Sequence, residues 1–143
     1  MNSTHDDTDR VRRNTDPRLN RRIDILTESS VREQRAAGPD AMRRRLASLD
    51  REWDIERVLE TVAPTVILNG IALSALHDRR WLLLPTAVAG FLLQHALQGW
   101  CPPLPVLRRL GVRTRAEIER ERRMLEDALQ QDRPSRRAAA RKH

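Results

Sequence analysis

Hydrophobic positions are concentrated in the middle of the chain and thin to narrow stripes on either side. Trp81–Cys101 (WLLLPTAVAGFLLQHALQGWC) has no Asp, Glu, Lys or Arg, and it includes Leu82, Leu83, Leu84, Val88, Phe91, Leu92, Leu93 and Leu97. As a helix it extends about 31 Å, one hydrocarbon thickness. A second uncharged run, Thr61–Leu76 (TVAPTVILNGIALSAL), lies just upstream, across His77-Asp78-Arg79-Arg80. The pattern predicts an all-α protein: a two-helix transmembrane hairpin, spans 61–76 and 81–101, with amphipathic cytoplasmic helices on both sides.

Residues 1–16 are polar, mixed in charge and aperiodic, so disorder is expected there. Residues 17–52 form a charged, amphipathic helical arm. Within it Leu19, Ile23 and Leu26 share a face, and Ser30-x-x-Glu33 has the capping-box spacing that opens a second short helix. Gly38-Pro39 is a break. Beyond it, Met42, Leu46, Leu49 and Trp53 make one apolar stripe beside Arg43, Arg44, Arg45 and Arg51. Two readings fit such a stripe: a basic helix lying in a membrane interface, or a seam in a helix bundle. Residues 53–113 are the hairpin domain, with Pro64 in the first turn of its first span. Pro102, Pro103 and Pro105 end the long helix; Pro105 suits the start of a short helix and Gly111 its stop. Thr114-x-x-Glu117 opens a charged helix, 114–131, with a narrow line of Ile118, Leu125 and Leu129, followed by a basic disordered tail, 132–143.

Charge sets orientation. The net charge is +7, and every basic residue except Lys142 is an arginine. Arg43, Arg44, Arg45, Arg51 and Arg57 precede the spans and Arg108, Arg109, Arg113, Arg115 and Arg120 follow them, against only Arg79 and Arg80 in the turn. By the positive-inside rule both termini are cytoplasmic, in a multi-pass protein of a bacterial inner membrane. Arg43, Arg44, Arg45, Arg108 and Arg109 are the candidate contacts to anionic phospholipid headgroups. The N-terminus has no apolar core of the signal-peptide kind. With one Phe, three Trp and no Tyr there is little aromatic material for a large soluble core, and the single cysteine excludes an intrachain disulfide. A basic helical nucleic-acid-binding protein is the reading from another class. It is disfavoured because Asp50-Arg51-Glu52 and Glu119-Arg120-Glu121 alternate in sign and no aromatic platform interleaves them.

Polar positions inside the spans recur at helical spacing. Gln94 and Gln98 line one helix with Gly90 and Cys101, and Thr65 and Asn69 line the other with Thr61. Antiparallel helices set Asn69 level with Gln94 and Thr65 near Gln98, and amides are costly in hydrocarbon unless paired. Thr65, Asn69, Gln94 and Gln98 are therefore expected to pack between helices, within one hairpin or across a homodimer.

The entry segment Asp54-Ile55-Glu56-Arg57-Val58-Leu59, the later Gly99-Trp100-Cys101-Pro102 and the closing Leu110-Gly111-Val112 resemble the YgaP-like inner-membrane transmembrane domain family. This is a small bacterial domain of unknown function, found alone or fused to a sulfurtransferase domain, the rhodanese. The resemblance covers about residues 53–113 and marks Arg57, Gly99, Trp100, Cys101, Pro102, Leu110 and Gly111. It implies the hairpin and its location. It brings no activity, since this chain has neither room for a rhodanese nor a second cysteine.

Cys101 is the one candidate reactive group. At a helix C-terminus its thiolate meets the negative end of the dipole, which favours a packing role over an activated thiol. The competing role is as accessory to a separate sulfurtransferase or other thiol chemistry at the membrane. His95 lies on another side of the same helix, so no His–Cys pair or zinc set forms, and no cofactor motif is present. The sequence reads as a non-enzymatic membrane anchor or interaction module.

Overall fold

The structure, a computed structural model, describes residues 9–140, with side chains through Asp132. Among the described residues it is all-helical: α1 (Arg10–Arg13), α2 (Pro17–Ala37), α3 (Pro39–Leu49), α4 (Ile55–Leu76), a 3-10 turn (Arg79–Leu82), α5 (Leu83–Gln98), α6 (Leu104–Arg109) and α7 (Arg115–Ala140). The chain divides into two units, one of residues 1–16 with 53–114 and one of residues 17–52 with 115–143.

The second unit is a bundle in which α2, α3 and α7 pack pairwise. Gly38, at φ +96°, turns the chain between α2 and α3, a conformation that glycine alone adopts cheaply, and Pro39 then starts α3. Val31, Met42, Leu49, Ile118, Leu125 and Ala128 form the core, with Leu46, Met124 and Leu129 partly buried around it. The stripe on α3 is thus a bundle seam, and its buried face is not available to a bilayer. Trp53 lies beyond α3 and is exposed.

Two expectations for the arm are corrected here. The buried line of α2 is Ile23, Thr27 and Val31, and Leu26 faces outward. Ser30 does not start a new helix. α2 runs through it unbroken, and its hydroxyl donates to Glu121 of α7 at 2.9 Å. Glu121 is fully buried, and Arg45 forks onto both its carboxylate oxygens at 2.8 and 3.0 Å. A bidentate, charge-assisted pair of this kind ties α3 to α7 in one geometry. α7 itself continues to Ala140, through most of the segment expected as a disordered tail, whose last residues lie outside the described ones.

In the first unit α4 packs along α5. α4 begins at Ile55 rather than Thr61, because the Asp54 carboxylate accepts from the Arg57 N–H at 2.7 Å and caps the helix there. Pro64 consequently sits deep inside α4, where its missing N–H leaves the Glu60 carbonyl without the usual helical donor. The second apolar run is also not one helix over 81–101. Asp78 caps the 3-10 turn through the Arg80 N–H at 2.8 Å, α5 starts at Leu83, and Gly99 at φ +70° stops it. α5 has 16 residues, about 24 Å. Disorder was expected through residue 16, yet Arg10–Arg13 form a helical turn capped by Asp9; residues 1–8 lie outside the described ones.

Candidate functional site: the apolar hairpin and its closed end

α4 and α5 lie along one another, yet few positions of either are fully buried. Ile55, Leu59, Ala63 and Gly70 are the buried positions of α4, and Pro85 is that of α5. Much of the remaining surface of the pair is apolar and open: Leu76 is 86% exposed, Leu83 74% and Leu97 69%, joined by Leu68, Ile71, Phe91 and Leu93. α4 spans about 33 Å and is, among the described residues, the one helix long and apolar enough to cross a membrane. Only 17% of its apolar window is buried, which is the reverse of a helix in a soluble core.

Three of the four polar residues expected between the helices, Thr65, Asn69 and Gln98, are exposed in the single chain. Thr65 donates to the carbonyl of Thr61 at 2.7 Å, Asn69 donates to that of Thr65 at 2.7 Å, and both side chains are exposed. Gln98 is exposed and Gln94 half-buried. Within one chain Gly70 meets Pro85, and the threonine and asparagine satisfy part of their need on their own backbone. In an apolar setting that back-bonding is the nearest acceptor available.

One end of the hairpin is closed by the N-terminal turn. The Arg10 guanidinium donates to the carbonyls of Ala96 and Leu97 at 3.2 and 3.4 Å, and the Asn14 amide donates to that of Gln98 at 3.0 Å. These are the carbonyls that the end of α5 leaves without helical donors, and a cation there also meets the negative end of the helix dipole. Gly99 follows, its N–H on the His95 carbonyl at 2.7 Å. A Cβ at Gly99 would run into Arg10. Sequence reasoning missed Arg10, Val11 and Asn14. The one local signal was an Asp at position 9 with cap spacing to Arg12, too short a pattern to show that the turn docks.

Gly99, Trp100 and Cys101, three of the residues that carried the resemblance, lie at this end. Cys101 is 2% exposed and packs with Val11, Ile55, Leu59 and Leu104, while Trp100, Leu107 and Val112 cover the cluster. It also lines a cavity of about 170 Å3 whose walls, including Val62, Val66, Val88, Phe91 and Leu92, are entirely apolar. Cys101 lies beyond the last turn of α5, and burial pushes its thiol above the ordinary range, partly offset by a backbone hydrogen bond from Leu104. Low exposure and a raised thiol both oppose nucleophilic chemistry. Arg57 stacks on Trp53, 4.7 Å from the ring centroid, and Gly111 at φ +85° ends the α6 segment. Pro102 and Leu110 are exposed.

The arginines assigned to headgroups divide. Arg108 is buried and donates to the Val112 carbonyl at 3.3 Å, and Arg45 is committed to Glu121, so neither is placed to meet a headgroup. Arg43 is exposed beside Asp40 at 2.7 Å, and Arg44 and Arg109 are exposed. Among the described residues no three His, Cys, Asp or Glu side chains converge as a metal set would. Comparison with protein-family models, with curated proteins and with solved structures yields no match.

Proposed function

We propose that the chain is a small membrane-embedded anchor in which α4 and α5 cross the bilayer as a hairpin. In this reading α5 makes its crossing together with the 3-10 turn before it, and the two termini lie on the cytoplasmic side of a bacterial inner membrane, as the arginine distribution argues. The observation that carries the reading is the open apolar surface of α4 and α5. Burying so few of so many leucines makes sense where the solvent is hydrocarbon and costs solubility where it is water. The resemblance to the YgaP-like domain points the same way.

The work of such an anchor is to hold the second unit at the membrane surface, where it meets lipid or a protein partner. Cys101 fills space in this account. A role beside a sulfurtransferase needs a thiol that reagents reach, and 2% exposure does not offer one. Alkaline carbonate extraction of membranes tests the proposal. Retention in the pellet is expected, and release of the full chain into the supernatant removes the anchor reading.

A further inference from the structure

The α3 stripe, for which an interfacial helix was one of two readings, is used up inside the bundle. A different face of the same unit has the required chemistry. On α2, Arg18, Arg22, Ile25, Ser29 and Arg32 recur at spacings of 4, 3, 4 and 3, the progression of one helix face, with Arg21 and Leu26 alongside. This face lies away from the buried line of Ile23, Thr27 and Val31. Ile25 is 55% exposed and Leu26 58%, an adjacent aliphatic pair. Three arginines, Arg18, Arg21 and Arg22, are exposed within two turns of that pair.

The acids of α2 are placed differently. Asp24 is half-buried and engaged by Arg120 of α7 at 3.4 Å. Glu28 is exposed on the same edge as Arg21, two turns further along, and Glu33 is exposed beside Arg32 in the C-terminal half of the helix. Arg21 and Arg22 thus flank the aliphatic pair on its N-terminal side.

We infer that this face, built from Arg21, Arg22, Ile25 and Leu26, docks the second unit onto an anionic phospholipid bilayer. Arginines at the level of phosphate groups draw the face down, and two aliphatic side chains enter the acyl boundary beneath them. Nucleic acid supplies the phosphates but nothing for Ile25 and Leu26, which have no flat face on which a base stacks. The inference rests on the anchor reading. The chain passes from this unit into the hairpin segment at Glu52–Trp53 and returns at Thr114–Arg115, so docking of this face is an intramolecular event that needs no more than modest affinity.

The test uses the full chain in nanodiscs, with Cys101→Ala and Leu26→Cys, and an environment-sensitive fluorophore on the new thiol. The expected result is blue-shifted emission in discs containing phosphatidylglycerol, absent in pure phosphatidylcholine and reversed by high salt. Arg21→Glu with Arg22→Glu should lower the docked-to-undocked ratio at least about 25-fold, at roughly fivefold per lost arginine. Carbonate extraction of the same variants keeps the two claims apart. Retention in the membrane with identical emission in both lipids, or emission that responds to an oligonucleotide instead, overturns the docking and leaves the anchor. Release by carbonate overturns both.

Discussion

Gly70 of α4 stands so close to Pro85 of α5 that a Cβ built on it meets the proline Cδ at 2.6 Å. The proline ring cannot swing aside as a flexible side chain would. Gly70→Ala should therefore force the helices apart at a cost of about 1–3 kcal/mol. Gly90, on α5, has nothing within 4 Å of its virtual Cβ, so Gly90→Ala should be close to neutral. Thermal unfolding followed by circular dichroism in mild detergent compares the two. Equal effects would mean that the helices do not pack through Gly70.

The docking of the N-terminal turn makes a second prediction. Gly99 combines a left-handed backbone with a steric stop against Arg10, so Gly99→Ala should displace the turn as well as strain the end of α5. The backbone alone costs about 1–2 kcal/mol. Limited trypsin digestion reads the displacement directly: cleavage after Arg10, Arg12 and Arg13 should speed up strongly in the variant. An unchanged digestion rate would show that the turn does not depend on Gly99.

The buried pair of the bundle gives a third. Arg45→Met leaves the Glu121 carboxylate in the interior without its guanidinium, and should cost about 3 kcal/mol, the low end for buried pairs because Arg45 is partly exposed. Arg45→Met together with Glu121→Leu should recover most of that loss, since two apolar side chains need no counter-charge. Chemical unfolding of the single and double variants measures the difference. A double variant as unstable as the single one would place the importance of Glu121 in its other contacts.

Cys101 supplies a pH prediction. Its folded thiol is raised above the ordinary value by burial. Below about pH 8 the thiol is protonated in both folded and unfolded chains and contributes no pH dependence. As the pH rises past that value the unfolded thiol ionises first, so stability should decline with increasing pH. Maleimide should accordingly label the folded protein far more slowly than the unfolded one at neutral pH. Rapid labelling of the folded chain would return Cys101 to the reactive candidates.

How much of this was visible in the sequence depends on how local each feature is. The Met42–Leu46–Leu49 stripe announced a buried face, but its spacing is shared by bundle seams and interfacial helices, and only the presence of α2 and α7 decides between them. Ser30-x-x-Glu33 has the letters of a capping box, but Ser30 has a better acceptor on Glu121, far away in sequence. The hairpin's helices were legible from charge-free runs. Their ends were not, because Asp54, Asp78 and Gly99 act through caps and backbone angles, whereas hydropathy counts only side chains. The polar residues Thr65 and Asn69 were read as partners for the other helix, since spacing cannot show that the i−4 carbonyl is nearer. Least legible was the closed end. Arg10 reaches carbonyls of α5 more than eighty residues away, and no periodic pattern encodes that contact.

The most direct measurement of the central claim is the position of the turn between α4 and α5. In a Cys101→Ala background, single cysteines at Asp78, in the turn, and at Arg44, in the bundle, can be challenged with a membrane-impermeant maleimide in intact spheroplasts. The account predicts labelling of position 78 from outside and protection of position 44 until the membrane is opened. Labelling of neither, or of both, before opening would contradict a hairpin that crosses the bilayer with its ends inside.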